Sequence, residues 1–216
     1  MRTTNNILDL SFIKLTAYII LLLILSGSQL YAQHRHHTDK VESEKRNIYG
    51  AMMDAMMADM HNISLGNTPD TAFLQQMIAH HQGALVMAEY EIAHGGNAEM
   101  IELAKSILAG QQSEIKKMKL WIKHAKRVSG KLPDTFASAM DATMDTMMKA
   151  MPEETGFDDT DRAFAAVMKP HHQAAVDMAR IVLRYSKDSA ISNYAEQLIA
   201  TQQTEVNQMS NFLSAK

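Results

Sequence analysis

From about residue 41 onward, apolar positions recur every three to four residues, and no stretch shows the alternation of period two that marks a strand. Between Val41 and His61 the periodic positions are Met53, Met56, Met57 and Met60, spaced i, i+3, i+4, i+7, which is one stripe of a helix. Gly66 and Asn67 then make a turn. Thr68 is placed to cap a second helix with Pro69 at its first position, and Gly95 and Gly96 close it. A third helix opens at Asn97 and carries Met100, Leu103, Ala104, Ile107, Leu108, Ile115, Met118 and Ile122 at near-helical spacing, ending near Gly130. The order then repeats. A helix from Asp134 to Met151 bears Met140, Met144, Met147, Met148 and Met151, a polar break follows at PEETGFDDT, and two helices run to about Tyr185 and from Asp188 to Phe212. Pro170 predicts a kink or restart in the first of these two. The predicted fold class is all-α.

The repetition is a duplication. At an offset of 91 residues, Met53, Asp54, Met56, Met57 and Met60 fall on Met144, Asp145, Met147, Met148 and Met151. DTAFLQQMIAHHQGALVMA, starting at Asp70, falls on DRAFAAVMKPHHQAAVDMA, and QQSEIKKM falls on QQTEVNQM. Each copy, about 49–130 and 134–216, reads as three helices. A copy of about 75 residues has a small core of its own, so residues 48–216 are expected to form one domain. Two His-bearing helices and two Gln-Gln-x-Glu helices make a four-helix bundle with pseudo-twofold symmetry, and the Met-rich helices flank it.

Upstream, Arg2 and Lys14 supply charge, Ala17 to Leu25 is an apolar run, and SGSQLYA ends on Ala32. This is the pattern of a secretory signal cleaved after Ala32, since nine residues cannot span about 30 Å of hydrocarbon as a helix. Counting from Phe12 to Leu30 keeps an uncleaved anchor as the alternative. Residues 33–47 are expected to be a mobile polar tail containing His34, His36 and His37, a candidate loading site for Cu(II). The mature protein is expected to be periplasmic or secreted. The absence of Cys excludes a lipid-modified cysteine and any disulfide. A net charge of -3 excludes the basic field that nucleic acid binding needs.

Eighteen Met and ten His without a Cys change the picture from packing to chemistry. Leu fills a core with better-defined rotamers than Met, yet both stripes use Met with Ala alone. Thioether is a soft, neutral ligand suited to Cu(I) and Ag(I). The bland alternatives are a packed stripe or an adhesive Met face. His80 and His81, about 100° apart on their helix, flank the stripe Met77, Ala84, Met87, and His171 and His172 repeat the arrangement beside Met168, Ala175 and Met178. If these helices meet, four imidazoles and up to four thioethers converge, a donor set that favours copper. Gln111, Gln112, Glu114 and their counterparts Gln202, Gln203, Glu205 either orient the His rings or form a polar layer between helices. His61 has Pro152 as its counterpart, and His124 reads as a solvated helix end.

MIAHHQGALVMA with its echo MKPHHQAAVDMA, followed by QQSEIKKMKLW, resembles the family called domain of unknown function 305 from about Asp70 to Phe212. The resemblance implies a ferritin-like helical bundle, export, and copper or silver binding, with His80, His81, His171, His172, Met77, Met87, Met168 and Met178 as candidate positions. The expected function is non-catalytic sequestration of Cu(I) or silver, with Cu(II) also open, or delivery to an efflux or chaperone partner. Two alternatives stand beside it. One is an interaction module gripping partner helices with its Met face. The other is a ferritin-like metal oxidase, for which only Glu91 and His94 fit Glu-x-x-His, because their counterparts are Val182 and Tyr185. A homodimer stays open, with no residue arguing for it.

Overall fold

The structure is a computed structural model that describes residues 48–125, 129–152 and 159–215. The expected signal and His-bearing tail lie outside the described residues, as does most of the PEETGFDDT break. Six helices and no strand form among the described residues: α1 (Ile48–His61), α2 (Pro69–His94), α3 (Ala98–His124), α4 (Asp134–Lys149), α5 (Thr160–Val182) and α6 (Ser189–Ser214). The caps are local chemistry. Thr68 Oγ1 accepts the Thr71 N–H, Asn97 Oδ1 accepts those of Glu99 and Met100, Asp159 that of Arg162, and Asp188 that of Ala190. α4 starts after Pro133 with no side-chain cap.

α2 and α5 form the central pair. α3 packs along α2 and α6 along α5, while α1 lies on α2 and α4 on α5, so the second three-helix set repeats the first. α2 and α5 are antiparallel: the end of α2 at Glu91 meets the start of α5 at Asp161, and His80 in mid-helix meets His171.

Pro170 does not restart its helix. α5 runs unbroken from Thr160 to Val182 with Pro170 buried inside it. The proline removes one backbone hydrogen bond, but the residues on both sides of it are packed into the core between α4 and α6, and that burial outweighs the loss.

α1 is fixed at two places. Met56 packs on Gly83 of α2 so closely that a Cβ there would lie 2.6 Å from Met56 Cγ and 2.9 Å from its Cβ. Gly83→Ala is therefore expected to destabilise the protein by about 1–2 kcal/mol, because overpacking outweighs the roughly 1 kcal/mol gained in helix propensity. Denaturant unfolding checks this. The second place is Tyr49, which is wholly buried, sits edge-on to Tyr90 with centroids 5.5 Å apart, and donates to Glu91 Oε2 at 2.6 Å.

Glu91 is itself part of a buried carboxyl pair. Burial pushes it up to about 7; the Tyr49 hydrogen bond opposes this, and the hydrogen bond to Asp161 adds to it. Burial also pushes Asp161 up, but the N–H groups of Asn97 and Gly96 and the bond from Glu91 outweigh it and hold Asp161 below the usual range. Of the two carboxyls, Glu91 is thus the one that holds a proton up to about pH 7, while Asp161 is ionised. In the unfolded chain Glu91 loses that proton near 4.5 and in the fold near 7, so between these values the folded state binds more protons and stability falls as pH rises. Glu91→Gln keeps a donor and removes the charge. The variant is expected to gain about 2 kcal/mol on wild type between pH 4.5 and pH 8, read as the difference between their unfolding curves.

Candidate metal centre

His80 and His171 meet where α2 and α5 cross. Their rings stack with centroids 3.7 Å apart and planes 30° from parallel, and both are wholly buried. His171 Nε2 donates to the backbone oxygen of His80 at 3.2 Å, which fixes its tautomer and turns a bare Nδ1 lone pair inward. Neither nitrogen of His80 has a hydrogen-bond partner among the described residues. Burial first, and then the neighbouring imidazoles, hold both rings well below the ordinary histidine range, so they are neutral.

The second histidine of each pair turns away from this crossing. His81 Nε2 reaches Glu114 Oε2 at 2.8 Å and His172 Nε2 reaches Glu205 Oε2 at 3.0 Å, while Nδ1 of each is unpartnered among the described residues. A carboxylate behind one ring nitrogen leaves the other as the basic, oriented donor, which is how metal-ligating histidines are held. Burial pushes Glu114 up, but hydrogen bonds from His81 and Tyr194 and the charge of Lys117 outweigh it and keep the carboxylate ionised. The four rings therefore do not gather around one point as expected, and no three His, Asp or Glu among the described residues are placed to hold one ion. The reason is angular. Neighbours about 100° apart cannot both face a partner helix, so one enters the crossing and the other faces α3 or α6.

Met77, Met87, Met168 and Met178 lie on the same two stripes and are wholly buried. Of the flanking stripes, Met53, Met56, Met144 and Met147 are buried, Met57, Met60 and Met151 are half-buried, and Met148 is 36% exposed. Met53 of α1, Met148 of α4 and Met151 just beyond it line one cavity of about 70 Å³ with Gly50, Asp54, Pro152 and Val167. The structure thus brings the two Met helices to a shared space.

Of the Gln-Gln-x-Glu segments, Glu114 hydrogen-bonds His81, whereas Glu205 lies 3.0 Å from His172 without an aligned hydrogen bond. Gln111 and Gln202 are buried with Oε1 unpartnered among the described residues. His61 bonds the Met57 carbonyl at an exposed site, and His94 stacks on Tyr90 at 4.0 Å, away from Glu91. The sequence reading missed Tyr194, whose hydroxyl donates to Glu114 Oε2 at 3.1 Å. The signal was available: Tyr194 replaces Leu103 of the first copy.

Fold and site together define a duplicated helical protein with buried, oriented imidazoles framed by thioethers. The family model for a domain of unknown function, DUF305, matches residues 21–122 and again 123–215, and the chain belongs to that family. No curated protein sequence matches it. Among solved structures, CopM in its Cu(I)-bound form is 30% identical with a TM-score of 0.51, covering 66% of this chain and 94% of that one. CopM in an Ag-bound form is 28% identical with a TM-score of 0.51, covering 66% and 93%. A DUF305 protein from Streptomyces coelicolor, 21% identical with a TM-score of 0.54 over 68% and 92%, shares the fold.

Proposed function

We propose that the protein is an exported, non-catalytic binder of Cu(I) or Ag(I) that sequesters the ion or hands it to an efflux or chaperone partner. The observation that carries this reading is His80, a wholly buried ring with neither nitrogen bonded among the described residues, stacked on a His171 that turns a bare Nδ1 inward. Leaving such polar groups unsatisfied costs about 1–3 kcal/mol each, a cost a packing residue would not carry. Neutral imidazole with neighbouring thioethers is the donor chemistry of a soft monovalent ion, which tolerates two or three ligands and needs no carboxylate cage. Glu114 and Glu205 offset its charge one residue removed. Similarity to CopM, whose structures hold Ag, Cu(I) and Cu(II), supports the same ions here.

Full enclosure of the rings favours holding an ion over turning over a second substrate. Export rests on the apolar segment ahead of Ala32, and among the described residues no helix is long and apolar enough to cross a membrane. The test is Ag(I) titration followed by native mass spectrometry, for wild type and for a variant with His80, His81, His171 and His172 all changed to Ala. Several retained ions, fewer in the variant, are expected. A folded wild type that retains none refutes the reading.

A further inference from the structure

The two copies differ where the second histidine of each pair meets its carboxylate. In the first copy, Glu114 is 27% exposed against 12% for Glu205, but its charge is already met: His81 and the Tyr194 hydroxyl both reach Oε2, and Lys117 adds a cation. In the second copy, Glu205 stands in the wall of an open groove of about 660 Å³ between α3 and α6. The position matching Tyr194 is Leu103, and that matching Lys117 is Gln208; both line this groove. Neither the hydroxyl cap nor the guarding cation has an equivalent at Glu205.

The groove also carries two glutamates that have no acidic counterpart at the matching positions. Glu99 and Glu102 line it, where the matching residues of the second copy are Ala190 and Asn193. Lys105 pairs with Glu102 at 2.7 Å, which leaves Glu99 and Glu205 as the net negative wall, and the thioether of Met100 lies alongside. Behind Glu205, wholly buried His172 points Nε2 at the carboxylate from 3.0 Å without an aligned hydrogen bond, and its Nδ1 has no partner among the described residues. An acidic groove with low-dielectric walls concentrates cations, and this one ends on a carboxylate in contact with an imidazole.

We propose that the α3–α6 groove is the port through which the ion reaches the buried histidines, with Glu205 receiving it from solvent and passing it to His172. Tyr194 and Lys117 quench the matching path at Glu114, so loading is one-sided although the ligands are duplicated. This inference rests on the proposed binding of a soft ion at the histidines.

The test is the rate at which the purified protein takes Ag(I) from a weak chelator at low ionic strength, measured by stopped flow beside the equilibrium affinity. Glu99→Gln with Glu102→Gln is expected to slow uptake about tenfold, with the affinity unchanged and the difference fading at high salt. Leu103→Tyr with Gln208→Lys, which transplants the cap and cation, is expected to slow uptake at least as much. Unchanged rates in both groove variants, with affinity intact, overturn the port alone. A wild type that takes up no Ag(I) overturns the binding function and the port with it.

Discussion

Changing His80 and His171 together to Leu is expected to make the metal-free protein more stable and to abolish its tightest soft-metal binding. The two rings stack in a dry crossing with three of their four ring nitrogens unpartnered among the described residues. Apolar replacements of similar volume remove that desolvation cost, which is about 1–3 kcal/mol for each unsatisfied group. Thermal or denaturant unfolding should therefore show a gain of about 1–3 kcal/mol. Loss of an outer-shell partner alone costs 10- to 100-fold in metal affinity, so removing the ligands themselves should cost at least about a hundredfold. The opposite signs of the two effects separate function from packing. If the variant instead loses several kcal/mol and keeps its affinity, the rings are structural.

The second large effect concerns Met53, Met148 and Met151, which bring both Met helices to one small cavity beside Asp54. Leu in all three keeps volume and apolarity, and each such swap costs under about 1.5 kcal/mol, so the fold should survive. The number of Ag(I) ions retained in native mass spectrometry is expected to fall by at least one. Leu at Met56 and Met140, which are enclosed by the core, is expected to leave that number unchanged. An unchanged count in the triple variant would make the flanking stripes packing throughout and return the adhesive Met face to consideration.

What could be read from the sequence was whatever depends on neighbours in the chain. Thr68, Asn97 and Asp188 cap helices where the pattern placed them, because capping is a contact across two or three residues. The duplication was legible because it preserves spacing. The His pairs were legible as candidates, but their splitting between a shared crossing and two carboxylates was not, since it depends on which helices pack on α2 and α5. Pro170 was expected to kink or restart its helix; the restart does not occur for the same reason, since burial on two sides overrides the local preference for a break. Glu91 was weighed only as half of a Glu-x-x-His motif. Its real partners, Tyr49 and Asp161, lie 42 and 70 residues away and no local spacing marks them.

The central claim is that buried imidazole and thioether hold one soft ion together. X-ray absorption at the copper edge of the Cu(I)-loaded protein tests it most directly. The predicted result is a low-coordinate shell containing both imidazole nitrogen and thioether sulfur, with the nitrogen contribution lost in the His80→Leu, His171→Leu variant. A shell of sulfur alone in wild type, or one that the double variant leaves unchanged, would contradict the account.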